Sequence, residues 1–228
     1  MRRPFRTSAL IGIGVILISL VLMVTGPQET GPLAEGFFTP VIAFEFAANI
    51  QDVNLIFRNE SNQLIESAVS AMTFGVRLDF LFMLLYGAFL VTFAITCALL
   101  AGDRLFYAAA LAAVLAPIFD LLENLQLLSI MQQLGNGIFL SQLRNLHLFT
   151  WLKWGALILV FLLLIPFFQK AGSLGRFLAM FAALPFVTGV LAYLSPGLPS
   201  EIFALAVSAM ILLMILFSFL YREVEQNS

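Results

Sequence analysis

The sequence predicts an all-α fold: a polytopic membrane bundle of six transmembrane helices, with an amphipathic helix on the outer side between the first and second. Three observations lead there. Hydrophobic residues make up 61% of the 228 positions. Only 11 Lys or Arg and 13 Asp or Glu are present, less than half the charge of a soluble domain, which is about 25% charged. The apolar residues gather into six runs that reach or approach the roughly 20 residues a bilayer-spanning helix requires. A net charge of −2 provides no basic patch, which excludes a nucleic-acid binder. With one cysteine, Cys97, and one histidine, His147, an internal disulfide, a CxxC site, an iron–sulfur cluster, an HExxH protease and bis-histidine haem ligation are all excluded.

The spans are expected at about 8–25, 74–101, 105–131, 147–168, 175–194 and 201–221, all within a single integral membrane domain covering 1–228. The first follows Arg2, Arg3 and Arg6 and has an uninterrupted apolar core from Ala9 to Val24. That core exceeds the usual length in a secretory signal, and no small-x-small cleavage site follows, so a retained helix is expected. Gly102-Asp103-Arg104, Gly135-Asn136-Gly137, the Gln169–Gly175 stretch and Ser195-Pro196-Gly197-Leu198-Pro199 punctuate the later spans. Placing the N-terminus inside assigns Arg2, Arg3, Arg6, Arg104, Lys170, Arg176 and Arg222 to the cytoplasm. Arg58, Arg77, Arg144 and Lys153 then fall on the other side, and this bias predicts that both termini are cytoplasmic.

The outer segment, 26–73, is the main extramembrane feature. Thr39-Pro40 has the pattern of an N-cap followed by proline at the first helical position. Glu45, Asn49 and Asp52 recur at helical spacing, and Val41, Ile42, Phe44, Phe46 and Ile50 cover the remainder, which predicts one surface helix. Beyond the polar run 58–63, Glu66, Ser70, Thr73 and Arg77 form a narrow stripe, so the second span is expected to continue outward with one wet or paired face.

Ionisable residues inside a membrane are costly and point by default to a functional site. The third span supplies Asp120, Glu123 and Asn124 on one face, continued by Ala109, Ala113 and Ala116, where a neighbouring helix can approach closely. Pro117 removes a backbone donor nearby. The fourth span supplies Lys153 and, near its outer end, His147, which shares a face with Trp151 and Trp154. These tryptophans are expected to be interfacial anchors. The second span supplies Asp79, on one face with Tyr86. In antiparallel helices Glu123 and Lys153 each fall about 7–8 Å outside the bilayer midplane at 1.5 Å per residue, so an ion pair between Lys153 and Glu123 or Asp120 is expected.

The candidate ligand- or ion-binding residues are therefore Asp120, Glu123, Asn124, Lys153, Asp79 and His147. Three readings are open. The first is binding or passage of a small molecule, lipid headgroup or ion through an outer-side polar cavity. The second is a membrane-embedded hydrolase, with the acids and His147 as possible ligands of an assisting metal. The third is an accessory or scaffold subunit whose charges only pair helices. Glu45 is expected to be solvated or capping, although its setting is apolar. No cofactor motif is present, and the sequence identifies no metal or protein partner.

The segments Thr39-Pro40-Val41-Ile42-Ala43-Phe44-Glu45-Phe46-Ala47, Leu78-Asp79-Phe80-Leu81-Phe82 and Asp120-Leu121-Leu122-Glu123-Asn124 resemble a group of small, uncharacterised bacterial polytopic inner-membrane proteins. The likeness spans about 37–168. It implies a bacterial inner-membrane location and no activity.

Overall fold

A computed structural model describes residues 3–222; Arg2, part of the charge bias, lies outside them. Nine helices occur among the described residues: α1 (Arg6–Thr25), α2 (Pro40–Glu45), α3 (Ile50–Phe57), α4 (Glu66–Ala101), α5 (Leu105–Gln133), α6 (Leu140–Lys170), α7 (Gly172–Phe181), α8 (Leu184–Leu194) and α9 (Leu198–Leu220). Six spans are long and apolar enough to cross a membrane: α1, α4, α5, α6, α7 with α8, and α9. Large apolar side chains point outward along them, among them Leu17, Leu84, Leu111, Leu159 and Leu205. In lipid such a surface is solvated rather than exposed, and the helices satisfy their own backbone groups. The chain is an integral, multi-pass membrane protein with an all-α bundle.

The bundle is organised around α5, which packs on α4 and on α6. Small residues permit this. Ala109, Ala113 and Ala116 are completely buried, and a Cβ built at Gly87 of α4 would lie 2.8 Å from Cγ of Pro117. Pro117 lies within α5 without ending it. At one end of the bundle, Phe5 packs among Phe93, Phe167, Phe217 and Tyr221, joining the start of α1 to α4, α6 and α9.

Several boundaries differ from the sequence expectation. The second span begins at Glu66 rather than 74. Its 36 residues extend about 54 Å at 1.5 Å per residue, so α4 continues well beyond a hydrocarbon core of about 30 Å. The fourth span begins at Leu140 rather than 147. The fifth, expected as one helix, is interrupted at Ala182 and Ala183 and resumes as α8 with Pro185 in its first turn. Proline lacks an amide hydrogen and disfavours helix in the residue before it, so it starts a helix more readily than it continues one.

The largest correction concerns the outer segment. Glu45, Asn49 and Asp52 do not lie on one helix. α2 ends at Glu45, and α3 starts anew after Asn49. The Asn49 side chain accepts from the Asp52 amide at 3.0 Å, while the Asp52 carboxylate accepts from the Asn49 amide at 3.3 Å. This reciprocal cap satisfies the first-turn donors that a continuous helix would have bonded internally. α2 and α3 pack through Phe44, Val53, Ile56 and Phe57 on Met72, Leu127, Ile130 and Leu146. Arg58 holds the end of α3 in place, donating to Asn54 Oδ1 at 3.1 Å and to the carbonyls of Asn62 and Leu134 at 2.9 Å each.

Residues 26–39 form a strap from α1 to the start of α9. Gly36, at φ 83°, lies against Gly197, at φ 109°. A Cβ on Gly36 would approach Leu198 N to 2.8 Å, and one on Gly197 would approach the Glu35 carbonyl to 2.7 Å. Positive φ and this backbone proximity together require glycine at the crossing. Two residues on, the Phe38 and Thr39 amides donate to Oε1 of buried Glu201, at 3.0 and 2.7 Å. Thr39 therefore does not cap α2 with its own side chain, as the sequence pattern suggested. The cap comes from α9, and it fixes the direction in which α2 carries Glu45.

Candidate functional site: a lysine among three carboxylates beside an acidic cavity

At the strap end of the bundle, four helices bring polar side chains into the apolar interior. α5 contributes Asp120, Glu123 and Asn124, all buried. One turn apart on α6 lie Thr150 and Lys153, also buried. α4 contributes Asp79 and Tyr86, and α2 inserts Glu45 from outside the spans. Lys153 Nζ is 3.0 Å from Glu45 Oε2 and 3.6 Å from Asp120 Oδ1, and it pairs with Glu123 Oε2. The same ammonium lies 4.9 Å from the centre of the Trp154 ring, a cation–π contact.

Hydroxyl and amide donors complete the arrangement. Thr150 Oγ1 donates to Glu123 Oε1 at 2.6 Å and also lies 3.3 Å from the Glu45 carbonyl. Tyr86 donates to Asp120 Oδ2 at 2.7 Å. Asn124 Nδ2 donates to Asp79 Oδ2 at 2.7 Å, so Asp79 joins the cluster through an amide rather than through Lys153. Three carboxylates face one ammonium, so acidic groups outnumber the positive charge within this buried setting.

Glu45 has unusual chemistry for a residue outside the spans. It was expected to be solvated or capping, yet its side chain is only 13% exposed and it is ion-paired. Burial pushes its carboxyl above the usual range, and the like charge of Asp120 adds to that, while Lys153 opposes both. The sign of the linkage follows. The native state holds the Glu45 proton more tightly than the unfolded chain does. This contribution to stability is full below the ordinary glutamate range and is lost as pH rises through the elevated native value. Asp120, Glu123, Lys153 and Trp154 face the carboxyl, so the net slope belongs to the cluster, but Glu45→Gln should flatten it at the acidic end. Amide exchange in α2, compared between wild type and E45Q across that pH range, measures it; parallel pH profiles would count against a buried, titrating Glu45.

Of the residues singled out from sequence, Asp120, Glu123 and Lys153 meet directly, and Asn124 and Asp79 meet beside them. His147 does not join them. It is exposed on α6, with its ring 6.4 Å from that of Trp151. The tryptophans are not both interfacial: Trp154 is buried, 5.0 Å from Phe203 and 6.3 Å from Phe46 between ring centres. Glu45, Thr150 and Glu201 were not among the candidates. A signal existed for Thr150, which precedes Lys153 by three residues and so shares its face. For Glu201 the signal is tertiary, because its partners lie more than 160 residues away.

Beside the cluster is a cavity of about 370 Å³. It is bounded by Leu22 and Met23 of α1, Pro27 and Gln28 of the strap, Val41 and Glu45 of α2, Met72, Gly75, Val76 and Asp79 of α4, and Asn124 and Leu127 of α5. Asp120, Glu123 and Lys153 do not line it, contrary to the cavity expected from sequence. They sit behind Glu45 and Asn124. Met23 and Val41, on the wall, are exposed to the surroundings of the bundle. At Gly75 an added Cβ would meet nothing within 4 Å. Comparison with family models, with curated proteins and with solved structures found no match.

Proposed function

We propose that this protein binds a small molecule in the strap-end cavity, with the carboxylate–lysine cluster setting the charge of its inner wall. The observation that carries this reading is the placement of Glu45: one side chain both lines the cavity and pairs with Lys153. A ligand there would be sensed by the cluster directly, and passage of the molecule or of a proton would be a further use of the same site. The positive-charge bias supports an outer-side strap end with both termini cytoplasmic, and the resemblance noted in the sequence supports a bacterial inner membrane.

The scaffold reading has one observation in its favour, since Lys153 joins α2, α5 and α6 through ion pairs and such pairs suffice to keep buried charge. The hydrolase reading relied on His147 beside the acids, and that residue lies against Trp151 instead.

Gly75 separates the first two readings. Gly75→Leu should fill the cavity while leaving the Lys153 ion pairs in place, and replacing a helical glycine carries no intrinsic penalty. Wild-type and variant protein, purified in lipid nanodiscs, would be compared for co-purifying small molecules by mass spectrometry and for thermal stability. The expected result is equal or higher stability with loss of at least one bound species. An identical set of bound species in both proteins would count against the binding reading and favour the scaffold.

A further inference from the structure

We infer that the cavity takes a single-chain amphiphile with a cationic, amine-type head, the head at Asp79 and Glu45 and the chain along Met23, Met72, Val76 and Leu127. This inference rests on the small-molecule reading above and names the ligand class.

The lining charge gives the head its sign. Asp79 and Glu45 are the ionisable residues in the wall, and neither Lys nor Arg lines it. An anionic headgroup would meet two acids without a compensating donor of positive charge, because Lys153 is already engaged behind them by Glu45, Asp120 and Glu123. Among the described residues Asp79 accepts only from Asn124, through Oδ2, which leaves Oδ1 for a donor from the cavity. An ammonium supplies that donor together with the missing charge.

The apolar part of the wall gives the tail. Met72, Val76 and Leu127 are buried side chains of the apolar cluster that also holds Phe44 and Phe57, whereas Met23 is 73% exposed, so a chain passing it reaches the lipid around α1. Methionines adapt to chains of different shape. The volume, about 370 Å³, lies near the lower end of the roughly 300–1,000 Å³ found for ligand pockets and fits one chain rather than a two-chain lipid.

The test uses full-length protein in phosphatidylcholine nanodiscs, titrated with decylamine, decanol, decanoate and methylammonium, with empty nanodiscs subtracted for bulk partitioning. Decylamine should bind saturably and more than about tenfold more tightly than the other three, the effect of one charge-assisted contact. Asp79→Asn should bring decylamine to the level of decanol, and Gly75→Leu should abolish saturable binding of both. Equal binding of decanol or decanoate to wild type would overturn the cationic head while leaving the cavity reading intact. Methylammonium binding as tightly as decylamine would overturn the amphiphile in favour of a small-cation site. Displacement of decylamine by phosphatidylethanolamine nanodiscs would assign the same ammonium chemistry to a bilayer lipid and overturn the single-chain assignment. No saturable binding of any probe, or binding that Gly75→Leu leaves unchanged, would overturn both the ligand class and the cavity reading.

Discussion

Replacing Lys153 with methionine should destabilise the protein by about 3–5 kcal/mol, the usual cost of removing one partner from a buried ion pair. Methionine retains most of the volume, so little of the loss would come from packing. What is lost is the ammonium that Glu45, Asp120 and Glu123 share. The remaining donors do not replace it: Tyr86 reaches Asp120 and Thr150 reaches Glu123, but neither carries charge. Unfolding of the purified variant in mixed micelles gives the size of the effect. The companion double variant, K153M with Glu123→Gln, removes one charge of each sign and should cost less than the sum of the two single changes, because residues in direct contact are not additive. Strict additivity would mean that the lysine and the carboxylate do not interact in the membrane, and the electrostatic account of the site would fail with it.

The unequal legibility of these features in sequence has physical reasons. A bilayer imposes a length and an apolarity on every span, and that constraint is local, so six spans can be read from composition alone. The common face of Asp120, Glu123 and Asn124 is equally local, as is the small-residue face through Ala109, Ala113 and Ala116 that draws α4 and α6 close. Matched depth in antiparallel helices then suffices to pair Lys153 with Glu123. The outer segment obeys no such rule. Glu45, Asn49 and Asp52 have helical spacing, but Asn49 and Asp52 also have the spacing of a reciprocal cap, and in the structure the cap prevails. Helix periodicity cannot distinguish these outcomes, because the two residues that begin a helix are also three apart on its surface. The break matters for the site. It lets Glu45 turn inward to Lys153 while Asp52, half-buried, stays at the start of α3 as part of its cap. The cavity is less legible still, because its wall is assembled from α1, the strap, α2, α4 and α5, and Gly75 contributes to it by having no side chain.

Loss of the Glu201 carboxylate should release the wall of that cavity. In Glu201→Ala the Phe38 and Thr39 amides lose their acceptor at the point where the strap turns into α2. Hydrogen bonds to a charged group contribute about 1.5–3 kcal/mol each, so with some relaxation toward water a local loss of about 2–4 kcal/mol is expected. The first turn of a helix presents amides with no internal partners, and here Thr39 does not supply one from its own side chain, so nothing nearby substitutes for Glu201. The effect should be confined at first to α2 and the strap, with amide exchange of Phe38, Thr39 and Ala43 accelerated and a cysteine at Val41 labelled faster, while α4, α5 and α6 exchange as in wild type. Because α2 carries Glu45, its release should also weaken the Glu45–Lys153 contact, so E201A and E45Q together should change α2 exchange by less than the sum of their separate effects. Glu201→Gln keeps an acceptor oxygen without the charge and should recover a large part of the protection. If E201A exchanges like wild type at Phe38 and Thr39, the buried carboxylate does not hold α2, and the position of Glu45 must depend on the Lys153 contact and on the packing of Phe44 alone.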